Sequence, residues 1–131
     1  MAKKKASQPS GAKTLLYAAL LAAVTFGVYF RITSHEFVNY DDDTLITSNR
    51  VVVDSRTPWS ACFDWNIFTP HYKPLVLLSW RTEFQAFGEN PTVFHFNNLL
   101  LHALNVLLVF FISLKLLQKI IPDKKPHITL A

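Results

Sequence analysis

Two long apolar runs dominate the pattern of this chain. The first, LLYAALLAAVTFGVYF at residues 15–30, holds no charge. With Thr14 at one end and Ile32 at the other, it approaches the roughly 20 residues needed to cross ~30 Å of hydrocarbon. The second covers about residues 94–121 and includes LLLHALNVLLVFFISL, with His102 and Asn105 inside it and no full charge before Lys115. Pro91 suits a first helical turn, and Pro122 stops the helix. The pattern therefore predicts transmembrane helices at 14–32 and 92–121. The competing arrangement is a pair of core helices in a soluble protein, but a chain of 131 residues leaves too little other surface to cover them. A cleaved signal peptide is also disfavoured. The first run exceeds the usual roughly 7–15 residues and no A-x-A site follows it, so an uncleaved anchor is expected.

The stretch between the runs, residues 33–91, is too long for a plain connector. HEFVNYDDDTLITSN reads as extended at first, with Asp43 capping a short helix that begins at Thr44. TPWSACFDW reads as a second short helix, with Thr57 as cap and Pro58 at the first helical position. YKPLVLLSWRTEFQAFG reads as a third, over residues 74–87, stopped by Gly88. In it Val76, Leu77, Trp80, Phe84 and Phe87 share one stripe at 100° per residue, while Arg81, Thr82, Glu83 and Gln85 lie elsewhere. An apolar stripe rich in Trp and Phe just before a span fits a helix lying in the membrane interface, with Trp80, Phe84 and Phe87 facing lipid or the helix bundle. The expected fold is an all-α membrane protein, two transmembrane helices joined by an extracytoplasmic loop with short interfacial helices.

Composition narrows this picture. Half of the chain is hydrophobic and 17% is charged, which excludes a disordered protein. The single cysteine, Cys62, rules out an internal disulfide framework. The net charge of +4 would suit nucleic acid, but its distribution does not. Lys3, Lys4, Lys5 and Lys13 precede the first run, and Lys115, Lys119, Lys124 and Lys125 close the second. Between the runs, eight acids outweigh five cations. The positive-inside rule places both ends in the cytoplasm. The expected map is a basic cytoplasmic N-terminus at 1–13, the spans at 14–32 and 92–121, an extracytoplasmic loop at 33–91 and a cytoplasmic tail at 122–131. The terminal ITLA resembles the opening of another apolar run, and two spans cannot bury the polar groups of the second. The chain is therefore expected to be the front of a larger protein, with the lipid bilayer and further transmembrane helices as its partners.

The most unusual local feature is the acidic run Asp41-Asp42-Asp43, about ten residues beyond the first span. Adjacent carboxylates repel, so one tends to hold its proton unless a cation shares the site. That suits a general base, or a ligand set of Asp41, Asp42 and Asp43 for a hard ion such as Mg²⁺ or Mn²⁺. A solvated acidic turn is the plainer alternative. His95, Asn98, His102 and Asn105 form a polar stripe on the second span, continued by Ser113. Such groups at membrane depth face other helices or a water-filled cavity. Ala18 with Ala22, and Ala19 with Ala23, are small-xxx-small pairs that signal close helix packing. His35 and His71 lack zinc-ligand spacing, and the chain has no G-x-S-x-G and no phosphate-cradling glycine loop.

Three motifs in order, FVNYDDDTLITSN, YKPLVLLSWRTEF and FGENPTVFHFNNLLLHALNVLLVF, resemble the start of a membrane glycosyltransferase of the C type. The resemblance is to the transmembrane and tetratricopeptide-repeat-containing O-mannosyltransferases and their bacterial relatives, over about residues 37–110. It implies a hexosyltransferase of a bacterial inner membrane that takes a sugar from a polyprenyl-phosphate donor and passes it to a protein or glycan hydroxyl on the outer face. Carried over by position, Asp41 and Asp42 match the acidic pair of the family, with Asp41 the first choice for the base. Tyr72 and Lys73 fall in a motif where arginine is usual, so Lys73 would meet the lipid phosphate without a bidentate fork. His95 matches the histidine heading the second span. Asp43 departs from the usual pair. The family's further spans and helical repeats are not in this chain, so the fragment alone is expected to be inactive. The alternative is a non-enzymatic two-span membrane protein whose loop binds a partner or a cation.

Overall fold

The structure, a computed structural model, describes residues 11–67 and 72–120, and its described elements are all helical. Helix α1 spans Gly11–Tyr29 and runs into a 3-10 turn at Phe30–Ser34. A wide π-type turn at Asp43–Thr47 leads to the short α2, Arg50–Val53. Two 3-10 turns follow, Trp59–Phe63 and Trp65–Ile67. Helix α3 is Pro74–Phe87 and α4 is Pro91–Ile120. The basic residues 1–10, His71, the stop at Pro122 and the tail at 122–131 lie outside the described residues.

The chain divides into two compact units, each with its own logic. One comprises the described parts of Met1–Val28 and Leu100–Ala131. The helical stretches Gly11–Ser34 and Pro91–Ile120, most of whose residues lie in it, are long and apolar enough to cross a membrane. At about 1.5 Å per residue, the 30 residues of α4 reach beyond the ~30 Å of a hydrocarbon core. Leu15, Leu20, Val24, Leu108 and Leu116 are all more than half exposed, and such surfaces demand lipid or other helices around them. The positions this unit does bury are small, Ala18, Thr25 and Ala103. Thr25 disposes of its hydroxyl by donating to the Leu21 carbonyl at 2.8 Å. Of the two predicted alanine pairs, Ala18 with Ala22 is the covered one, and Ala19 and Ala23 are exposed.

The second unit, Tyr29–Leu99, carries a small core of Ile46, Val51, Val52, Ala61, Cys62, Leu77 and Phe94. Helix α3 keeps its predicted bounds because Pro74 needs no N–H at the first helical position. Gly88 can take the φ of 67° that ends the helix, with its N–H on the Phe84 carbonyl at 2.8 Å. Its apolar stripe departs from the expectation. Leu77 is buried, and Trp80 and Phe84, half-buried, pack against the unit's own core; Phe87 remains exposed. The second short helix also differs: Pro58, not Thr57, is its cap residue, and the turn that follows is 3-10. The run Val51-Val52-Val53, to which the periodicity assigns no element, is helical because Asn49 caps it. The Asn49 Oδ1 accepts from the Val51 N–H at 3.0 Å, and Val51 and Val52 are buried.

A four-residue helix leaves every carbonyl without an intrahelical partner. Here α2 gives one to the chain and three to α3. The Arg50 carbonyl accepts from the Asp54 N–H at 3.1 Å. The Val51 carbonyl accepts from Arg81 Nη1 at 2.7 Å, and the Val52 and Val53 carbonyls share Gln85 Nε2 at 3.2 Å each. Arg81 Nη2 extends the tie to the Asp54 carbonyl at 3.4 Å and to the Thr57 carbonyl. Its guanidinium carbon lies 4.5 Å from the centroid of the Trp59 ring. Arg81 is 1% exposed, although helical periodicity sets it apart from the apolar stripe. Hydrogen bonds from a charged donor contribute about 1.5–3 kcal/mol each, which offsets a desolvation cost of several kcal/mol. Arg81→Leu strands the three carbonyls and is expected to destabilise this unit by about 3 kcal/mol. Arg81→Lys, with a compact head in place of the fork, should recover only part of that. Limited proteolysis within residues 49–67 reads the effect, and unchanged cleavage in Arg81→Leu would contradict the assignment.

Candidate functional site

The acidic run stands at the entrance of the π-type turn, and its three carboxylates diverge. Asp41 is exposed. Its main-chain carbonyl accepts from the Thr44 hydroxyl at 3.3 Å, and its carboxylate takes no hydrogen bond from the described residues. Asp42 occupies the cap position, yet its Oδ2 turns back to the Val38 N–H at 2.9 Å. Asp43 therefore does not cap the turn. It lies inside it, and its Oδ1 accepts from the Thr47 and Ser48 hydroxyls at 3.2 and 3.3 Å. The widened turn follows from the same residue, because the Ser48 N–H reaches the Asp43 carbonyl at 2.9 Å, one residue further than an α-helical bond. With two of the three carboxylates committed to separate donors, the run does not form a ligand set for Mg²⁺ or Mn²⁺. Among the described residues no group of three or more His, Cys, Asp or Glu side chains is placed to hold a metal ion.

The other residues singled out by sequence sit on different neighbours. Tyr72 packs on Trp65 with ring centroids 4.8 Å apart and donates its hydroxyl to the Phe63 carbonyl at 3.3 Å. Lys73 is the cap residue of α3 and is half-buried. His95 lies with its ring centroid 6.3 Å from that of Phe37, which also meets Phe94 edge-on at 5.3 Å. Phe37 lies four residues before Asp41, so the segment that leads into the acidic run packs on the start of α4. The buried His95 Nε2 has no hydrogen-bond partner among the described residues. Among the described residues no hydrogen bond or ion pair joins Asp41 or Asp42 to Lys73 or His95. Asn98, His102 and Asn105 are exposed.

A second carboxylate site escaped the sequence analysis. Glu83 on α3 is 8% exposed. Its Oε1 accepts from the Ser79 hydroxyl and from Asn97 Nδ2, both at 2.6 Å, and Asn97 Nδ2 also lies 3.0 Å from Ser79 Oγ. Asn97, one position before the residue of the predicted stripe, is the asparagine that α4 turns toward α3. The available signal was the Ser79–Glu83 spacing of four, which stacks the two side chains on one helix face. Burial pushes the Glu83 carboxyl above its ordinary value, against the two hydrogen bonds that pull it down. Asp54 is the opposite case. The Arg56 main-chain N–H at 2.9 Å from its Oδ1 holds the carboxyl below its ordinary value, helped by the Arg56 and Arg50 side chains.

These two groups give stability opposite pH slopes. The contribution of Glu83 is full below the ordinary 4.5 and is lost as pH rises through the raised folded value. That of Asp54 is present above the ordinary 3.8 and is lost as pH falls through the lowered folded value. Glu83→Gln keeps an acceptor for Ser79 and Asn97 and cannot ionise. It is expected to flatten the decline of the thermal midpoint above about pH 5, leaving the acid-side loss in place. Equal slopes for the two proteins between about pH 5 and 7.5 would refute the assignment.

No protein-family model matches the chain, and no solved structure matches it. Curated proteins do. The protein O-mannosyl-transferase TMTC2 of Homo sapiens, like that of Mus musculus, is 33% identical over 91 residues, which is 63% of this chain and 11% of that protein. The protein O-mannosyl-transferase TMTC1 of Mus musculus is 34% identical over 117 residues, 79% of this chain and 11% of that protein. The chain thus spans about a tenth of the length of the relatives it matches. Its similarity covers most of its own length and a small part of theirs, and it makes this chain a relative of the protein O-mannosyl-transferases TMTC1 and TMTC2.

Proposed function

We propose that this chain is part of a membrane glycosyltransferase that moves a hexose from a polyprenyl-phosphate donor to a hydroxyl of a protein or glycan, and that Asp41 is its general base. The observation that carries the reading is the state of the acidic run. Asp42 and Asp43 spend a carboxylate oxygen on local donors, while Asp41 stays exposed and unengaged among the described residues. The names of the relatives supply the reaction class.

The chemistry is a displacement at the anomeric carbon. Asp41 takes the proton of the acceptor hydroxyl as its oxygen forms the new C–O bond, and the phosphate leaves with the electron pair of the bond it loses. Asp42, fixed on the Val38 N–H, holds the turn that presents Asp41. Lys73 supplies a cation for the departing phosphate, and Tyr72 and His95 flank the donor. Connectivity keeps the run near the membrane surface, about ten residues beyond the first apolar stretch, where a lipid-linked phosphate also lies. The lysines flanking both apolar stretches support an orientation with both termini in the cytoplasm and residues 33–91 on the opposite face.

Sugar transfer by the full-length protein from a polyprenyl-phosphate mannose to an acceptor peptide tests the assignment. Asp41→Asn is expected to lower the rate by about 10²–10⁴-fold at equal protein level. Asp42→Asn should cost less, and Asp64→Asn should cost nothing. Transfer within about threefold of wild type in both Asp41→Asn and Asp42→Asn would exclude the run from catalysis, since a general base contributes far more. Orientation is checked separately. Cys62 is 0% exposed and cannot report from either side, so the reporter is Ser55→Cys at an exposed position. An impermeant thiol reagent is expected to label it in intact cells, and labelling only after permeabilisation would reverse the topology.

A further inference from the structure

Glu83, Ser79 and Asn97 do more than join α3 to α4. They line an open groove of about 360 Å³, together with Thr82, Leu75 and Leu78. That volume lies within the range of small-molecule sites. The polar end is prearranged. Both donors from Ser79 and Asn97 fall on Glu83 Oε1, and Oε2 receives no hydrogen bond from the described residues. Thr82 donates its hydroxyl to the Leu78 carbonyl at 2.7 Å, which leaves its oxygen lone pairs as acceptors. The other end is apolar, with Leu75 73% exposed. A carboxylate oxygen and a hydroxyl oxygen beside exposed leucine match a ligand with several hydroxyls at one end and hydrocarbon at the other.

We infer that this groove is a subsite for the hydroxyls of a hexosyl group carried on an apolar chain, with Glu83 as its anchoring acceptor and Leu75 and Leu78 against the first part of the chain. The inference rests on the glycosyltransferase reading for the class of sugar, and it adds a site that the acidic run does not contain.

A photoaffinity experiment tests it on the full-length protein in lipid nanodiscs. The probe is an octyl mannoside with a diazirine in the alkyl chain, used below its micellar concentration. The expected result is labelling within residues 75–82 that excess unmodified octyl mannoside removes and excess methyl mannoside leaves largely in place. Glu83→Gln, which retains the Ser79 and Asn97 bonds and so the helix contact, turns the open Oε2 acceptor into an amide N–H donor and should reduce this labelling about fivefold, roughly the loss of one hydrogen bond. An octanol-based diazirine without the sugar should label wild type and Glu83→Gln alike. Equal labelling of the two proteins by the mannoside probe would overturn the subsite, and so would equal labelling of wild type by the sugarless probe. Neither readout involves turnover. If Asp41→Asn abolishes transfer while Glu83→Gln labels normally, the subsite fails alone; if labelling behaves as expected while Asp41→Asn transfers normally, the catalytic assignment fails alone.

Discussion

The loop unit depends on one buried guanidinium. Arg81 lies almost wholly out of water and finds no carboxylate among its partners; three main-chain carbonyls and the face of Trp59 receive it instead. A lone buried cation is costly unless its hydrogen-bonding capacity is nearly filled. A carbonyl at the end of a one-turn helix is costly unless a donor reaches it. Each deficiency answers much of the other, with only the buried Arg81 Nε left without a partner among the described residues. Together with Gln85, Arg81 fixes where α2 ends and where the segment to Thr57 must run. The core that forms around Val51, Val52, Cys62 and Leu77 is small, and hydrophobic burial alone would leave the register of such short elements loosely set. Directional bonds from one rigid helix set it.

Two carboxylates in this unit illustrate how environment assigns a role. Asp41 stands exposed at the start of a turn whose other acids are occupied, which is the state the proposed base requires. Glu83 is covered, loses hydration and keeps its proton to higher pH, while two short bonds fix one of its oxygens. The first suits proton transfer and the second suits recognition. The same contrast separates two cations of this unit. Lys73 sits half-buried at the head of α3 with its ammonium unpaired among the described residues, whereas Arg81 is consumed by structure.

The apolar helices follow a simpler rule. Large side chains such as Leu15, Val28, Leu108 and Ile120 stand exposed, while the few covered positions are alanine and threonine. Small residues let helices approach closely, and large ones are left for lipid or for neighbouring helices. The chain spans about a tenth of the length of the relatives it matches.

The sequence alone determined what depends on local and one-dimensional physics. Two uncharged runs near 20 residues gave the spans, because backbone polar groups in hydrocarbon must be satisfied within the segment. Pro74 and Gly88 gave the bounds of α3, because each imposes a backbone angle on itself. The three motifs gave the kinship with O-mannosyl-transferases. What the sequence could not decide was which face of α3 would meet which partner. Periodicity put Arg81 and Glu83 outside the apolar stripe, and both are nonetheless buried. Periodicity also favoured Asn98 over Asn97, although the helix turns Asn97 to Glu83. Such choices rest on partners 14 to 33 residues away along the chain. Only the tertiary fold brings unsatisfied carbonyls and a free carboxylate to those side chains, and the bonds they then make outweigh the preference of a charged group for water.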